Sequence, residues 1–328
     1  MPVPRPFWYI VCQSMEGKAA GTPSSEEKNM RMMGSAPTIK RAVRPWWRAF
    51  ILLVVPSLSG LLPIHVFLPG RVWAEEPARI RVVRGVVGEG ACAISGMSAE
   101  QSQLTALQKA RAASIEQAAG VRVASSTLVR DGMVAVDLIR TYSRGFIVRE
   151  KVEWLPIAQY QDSRDRPPIP EYRVRIKADV AIPEKLSRPV GLSAKLNNKI
   201  FRKGEKARVE VATEREARVA VFNLTADDKV VMIFPHPLEK EIFASSGKPL
   251  RFPPDGSRIE LVMQTLPGHA RDAEAFFVVA VGKDEPIDFS TEFGVGEQIA
   301  FSVFFERYAE IAPHAYEVIL PYVVEGNE

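Results

Sequence analysis

The chain has 328 residues, with 43 Lys or Arg, 39 Asp or Glu, two cysteines and 46% hydrophobic side chains. At ~150 residues per domain that length holds about two domains with real cores. Nine of the basic and three of the acidic residues fall within 1–74, leaving 34 basic and 36 acidic side chains in the remainder. A slightly acidic body with interspersed charges lacks the footprint that phosphate backbones require, so no nucleic-acid partner is expected.

The first stretch reads as a leader. Lys40, Arg41, Arg44 and Arg48 precede an apolar run over 49–68, and Val72-Trp73-Ala74 ends in a small residue before two glutamates. Positive region, apolar run and small-residue site in that order form an export signal, with cleavage expected after Ala74. Pro56, Gly60 and Pro63 interrupt the run, which disfavours a retained helix of the ~20 apolar residues a bilayer needs. Membrane contact is therefore expected only through the leader before cleavage, and the mature chain is expected in the periplasm or cell envelope. Cys12 precedes the cleavage point, so Cys92 is left without an internal disulfide partner.

Residues 79–183 read as a first body domain. A strand over 78–87 enters a small-residue turn at 88–96, GEGACAISG. Ser98 is a good N-cap for the helix that follows, Gln101 sits at the capping-box position, and Gly120 is placed to end the helix left-handed. Leu104, Leu107, Ile115 and Ala118 share a stripe, flanked by Ala106, Ala110 and Ala113; packing on the domain's own sheet is the expected use of such a face. Segments 121–129 and 133–139, separated by Asp131-Gly132, then 145–155 and 172–182 read as further strand-like pieces, with an exposed hairpin loop over 161–170. One helix on a three- or four-stranded sheet is an α+β arrangement. The residues Gly88-Glu89-Gly90, the helix end Ala118-Ala119-Gly120, the segment SRGFI at 143–147 and the strand YRVRIKADV at 172–180 resemble the N-terminal domain of flagellar assembly protein T-like envelope proteins. That resemblance implies an exported, non-enzymatic component of envelope assemblies, with envelope proteins as partners.

Residues 190–325 read as a second, β-rich antiparallel domain with one covering helix, after a short linker at 188–191. The stretch 200–235 suggests a three-strand meander: Val209 and Val211 alternate with polar neighbours, Val219 and Val221 follow, and 230–234 is continuously apolar. Segments 259–265 and 275–281 are two more strands, the second apolar enough to be central in a five-stranded sheet. Phe301, Phe304, Phe305, Tyr308 and Ile311 mark one face of a helix over 297–312 that covers the sheet. Pro313 ends that helix and 316–324 is a last strand. Lys203-Gly204-Glu205, Val219–Leu224, Asp227-Asp228, Val231–Pro235 and Leu250–Pro254 together resemble the domain of unknown function 4384 family over about 195–285. The resemblance implies a small β-rich module with no established catalysis.

The chemistry-bearing residues are few. Gly88-x-Gly90-x-x-Ala93 matches a relaxed dinucleotide fingerprint, but the helix begins at Ser98, beyond the motif, so no cofactor is expected. No cysteine or histidine spacing suits a metal. Asp227-Asp228 reads as a hairpin turn. Two functional readings stay open: a non-enzymatic exported binding or assembly module, or an envelope hydrolase or small-ligand sensor using Cys92 or His236, His269 and His314. For the first, the long loop 235–254 is the candidate partner-binding segment, marked by His236, Pro237, Phe243 and Lys248, because long loops in compact domains are often functional.

Overall fold

A computed structural model describes residues 9–10, 80–120, 141–161, 163–239 and 242–326. The leader's charged and apolar regions, the cleavage site after Ala74 and segments 121–139 lie outside the described residues.

The first half is β1 (Ile80–Ala93), α1 (Ala99–Ala118), β2 (Phe146–Trp154) and β3 (Ile169–Pro183). β3 is central, with β1 and β2 antiparallel on its two sides; a short strand, Ala158–Tyr160, pairs with its first residues. The glycine-rich stretch expected as a turn instead continues β1, with Gly88 opposite Ile176 and Gly90 opposite Val174. The cause is the helix above it. A Cβ on Gly88 would stand 2.1 Å from the Ala110 carbonyl oxygen, and one on Gly90 2.0 Å from that of Ala106. The glycines remove side chains from the strand where small residues remove them from the helix, so the two backbones nearly touch.

α1 has the expected caps: Ser98 and Gln101 form a reciprocal capping box, and Gly120 follows the helix with φ at 76°. Its sheet-facing residues include Ser102, Ala106, Ala110 and Ser114, whereas Leu104 is only half-buried. Bulges interrupt β1 between Val83 and Val86 and β2 between Ile147 and Arg149, both beside Asp179 of β3. The Asp179 carboxylate accepts the Gly85 amide at 2.9 Å, and Gly85 holds φ +68°, the geometry a glycine bulge requires.

The second half contributes β4 (Ser193–Leu196), β5 (Ile200–Arg202), β6 (Val209–Ala212), β7 (Ala217–Leu224), β8 (Lys229–Phe234), β9 (Leu250–Phe252), β10 (Arg271–Gly282), α2 (Phe289–Phe293), β11 (Gln298–Ala300), α3 (Phe301–Ile311) and β12 (Ala315–Glu325). One seven-stranded sheet runs β11-β8-β7-β10-β12-β5, with Phe243–Ala244 as a further strand beside β7. β10 is central, as its apolar run suggests. The three-strand meander is not formed. β7 and β8 make a hairpin, but β6 pairs with β4 and β9 in a separate three-stranded sheet. The chain turns aside between them because the Glu214 amide donates to the Val190 carbonyl at 2.8 Å, tying this segment to the linker. Segment 259–265 keeps only Leu261–Val262 as strand, pairing with Lys206–Ala207 and with Tyr9–Ile10 in a third small sheet.

β7 is buried on both faces, so it needs a layer on each side. On one, Val219 and Val221 meet Val209, Val211 and Phe252. On the other, Ala220 and Phe222 meet α2 and α3, in a core that continues without a break to α1 and the first sheet. α3 joins the halves. Phe305 stacks on Tyr142 at 4.9 Å and on Phe146 at 5.3 Å while it meets Phe277 of β10 edge-on at 5.8 Å.

β12 pairs with β10 in unbroken register along its length, but β5 covers only Val323–Glu325 on its outer edge. The Ala315 carbonyl accepts Lys185 Nζ at 2.7 Å and the Val323 amide donates to Lys199 at 2.9 Å, so odd-numbered residues between them present their backbone groups outward. Pro321 is one of these.

Candidate functional site

The loop 235–254 is anchored at several points. A bridge joins His236 to Glu239, Phe243–Ala244 pairs with Ala217–Arg218, a second bridge joins Ser245 to Lys248, and β9 then enters the small sheet. Two grooves flank it. His236 and Pro237 line one of about 380 Å³, floored by Ile242, Ile287, Phe289 and Val295. Phe243 and Lys248 line the other, of about 440 Å³, with Phe234, Leu250 and Arg251; Glu239 borders both. The four sequence-marked residues thus divide into two pairs on one surface. Burial lowers the His236 pKa against the pull of Glu239, and its Nδ1 accepts the Leu238 amide at 3.2 Å, as a neutral ring does. Phe243 is 38% exposed, an aromatic edge available to a partner, although its neighbour Ala244 is fully buried.

Cys92 and the histidines are not brought together. Cys92 faces α1 in β1, buried, with its thiol pushed up by that burial and with Lys109 as the nearest opposing charge. His269 Nδ1 lies 2.6 Å from Asp272. His314 Nδ1 meets both Ser187 Oγ at 3.3 Å and Glu285 Oε2 at 3.0 Å, while Ser187 Oγ donates directly to Glu285 at 2.6 Å. Serine and carboxylate on the same ring nitrogen form a triangle; a nucleophile relay needs them on opposite nitrogens. Among the described residues no cluster of three metal-ligating side chains occurs, and no helix is long and apolar enough to cross a membrane.

Two buried polar clusters were not foreseen. In the first, Arg111 of α1, 3% exposed, donates to Glu150 of β2 at 2.6 and 2.9 Å and to Asp228 at 2.5 Å, with the Phe301 ring 5.2 Å from its guanidinium. Burial opposes its charge, but the two carboxylates keep its pKa raised; burial also raises that of Asp228. Asp228 sits at φ 62° in the β7–β8 turn, a conformation aspartate tolerates better than most residues. The turn reading was right, but the side chain also clasps the other half. A signal was present: Arg111 occupies the position between Leu107 and Ile115 in the helix stripe.

In the second cluster, Glu274 of β10, Asn223 of β7 and Tyr322 of β12 meet in the sheet, all buried. Burial pushes the Glu274 carboxyl up to about 7, opposed by hydrogen bonds from Tyr322, Asn223 and the Ala226 amide and assisted by Asp272.

Fold and site together define a β-rich α+β protein whose grooves are built on a loop of the larger sheet. Residues 200–271 match the family described as Domain of unknown function (DUF4384). The matched stretch begins at β5, ends at the first residue of β10 and contains the whole 235–254 loop. It does not reach the first half, where the likeness to flagellar assembly protein T draws no support. A search of curated proteins finds no match to the chain.

Proposed function

We propose that this chain is a non-enzymatic binding or assembly module of the bacterial periplasm or envelope, which holds a partner protein across the 235–254 loop. The observation that carries the reading is the arrangement of His236, Pro237, Phe243 and Lys248 in two adjoining grooves on an anchored loop. Such a loop loses little conformational entropy when a partner docks, and an exposed aromatic beside an apolar floor is a usual interface anchor. The order of basic residues, apolar run and small-residue site expected of an export signal in 40–74 supports the location. The hydrolase or sensor reading draws no support from the separate placements of Cys92, His236, His269 and His314.

The test is site-specific photocrosslinking in cells from Leu238, at the loop surface, with Phe243→Asp and Lys248→Glu in the same background. A single crosslinked partner that falls roughly tenfold with Phe243→Asp, as loss of an interface anchor predicts, supports the reading. A crosslinking pattern indifferent to both substitutions removes the loop as the binding surface.

A further inference from the structure

Glu274, Asn223 and Tyr322 form a ring of contacts whose protons can be counted. Tyr322 Oη lies 2.6 Å from Glu274 Oε2 and 2.7 Å from Asn223 Oδ1, and Asn223 Nδ2 lies 3.2 Å from the same Oε2. Three contacts between electronegative atoms require three protons. The amide supplies one and the phenol supplies one. Exchanging the amide oxygen and nitrogen of Asn223 leaves the count unchanged, because the group still turns one donor and one acceptor into the ring. The third proton has one source, the carboxyl of Glu274. When Oε2 carries it, the acid donates to Tyr322, the phenol donates to the amide oxygen, and the amide nitrogen donates back to the acid.

The surroundings give the charged form no cation. Among the described residues no lysine or arginine is hydrogen-bonded to Glu274. Asp272, two residues earlier on β10, is held by His269 and by the Leu266 amide, and its proximity raises the cost of a second negative charge. The Phe201 and Phe276 rings pack on Tyr322 at 5.9 and 4.7 Å. At the ends of these elements Arg271 faces Glu325 at 3.9 Å and Lys229 pairs with Asp227 at 2.6 Å.

The second oxygen of Glu274 leads towards the junction of the halves. Oε1 accepts the Ala226 amide at 3.4 Å, and Ala226 belongs to the turn that carries Asp228. Asp228 holds Arg111 through its carboxylate and the first residue of α3, Phe301, through its carbonyl at 3.1 Å. We propose that the folded protein carries Glu274 as a neutral carboxylic acid, and that its ionisation leaves the ring one proton short and loosens the seam of β7, β10 and β12 on which that turn stands, making the seam responsive to pH. Once ionised, the ring has two protons for three contacts, and the charge faces Asp272 without a counter-ion.

The direction follows from linkage. A carboxyl whose folded-state value lies above its unfolded one stabilises the fold fully below the unfolded value and loses that contribution as pH rises through about 7. Folding between the two values should take up about one extra proton per chain. The direct measurement is the carboxyl-carbon titration of Glu274 by NMR in the wild-type chain, which needs no variant. A midpoint near neutrality supports the proposal, and one in the ordinary glutamate range of ~4.3 overturns it. The second is hydrogen exchange at the Tyr322 amide, opposite Glu274 in the β10–β12 ladder, corrected for intrinsic rate. Its protection should fall between about pH 5.5 and 8 in the wild type and stay level in Glu274→Gln, which cannot ionise. Equal pH dependence in the two chains overturns the link to the seam.

Discussion

The two helices meet their sheets in opposite ways. α1 lies on β1 through glycine, alanine and serine, with backbone almost against backbone, whereas α3 fills the space between the halves with Phe301, Phe304, Phe305 and Tyr308. The α1 contact derives its specificity from what is missing: any added atom strikes a carbonyl. The α3 contact derives its strength from area and from edge-to-face and stacked ring pairs. A small-residue contact is therefore intolerant of addition, and an aromatic one of removal.

Phe305→Ala should test the aromatic side with the largest effect. The ring is fully buried and touches Tyr142, Phe146 and Phe277. Its loss should cost about 3–5 kcal/mol in a urea denaturation midpoint. Because the same ring serves both halves, a single transition should be retained, shifted as a whole; two separated transitions would mean that the halves are energetically independent. Arg111→Ala should follow at about 3 kcal/mol, the lower end for a broken buried pair, since the raised Asp228 carboxyl can take a proton once its partner is gone. The sign is testable: the deficit should shrink as pH falls into the carboxylate range. Gly90→Ala should cost about 2–3 kcal/mol, because a methyl group 2.0 Å from the Ala106 carbonyl forces the helix away from the strand. If Gly90→Ala proves silent, the seam is looser than its geometry indicates. Ser98→Ala removes one half of the capping box and should cost about 1 kcal/mol, visible as a small midpoint shift.

What the sequence made legible was whatever depends on near neighbours. The Ser98–Gln101 box, the Gly120 terminator and the unbroken run in β10 are local patterns, and each produced the element expected of it; the spacing of Phe301 to Ile311 also gave a helix, but one that begins at Phe301 and not at 297, because Gln298–Ala300 pairs with β8. The partner of β6 was hidden, because the alternation of Val209 and Val211 specifies a buried face without naming the adjacent strand. Gly88 and Gly90 carry two meanings, a turn or a strand approached closely by another backbone, and only the helix decides between them. The Arg111 clasp was out of reach for a third reason. Its carboxylates lie 39 and 117 positions away, and a buried charge can be understood only with its partners in place. At the candidate site, the loop and its four marked residues could be chosen from sequence, but not their division between two grooves.

The outer edge of β12 limits what this protein can become part of. Pro321 has no amide hydrogen at a position whose backbone faces outward, Lys185 occupies the carbonyl of Ala315 at one end, and β5 closes the other. A strand from a neighbouring molecule would find too few donors and acceptors in line to extend the sheet. Growth by strand addition is thereby discouraged along this edge of the main sheet, where a neighbouring molecule is left with side chains to hold.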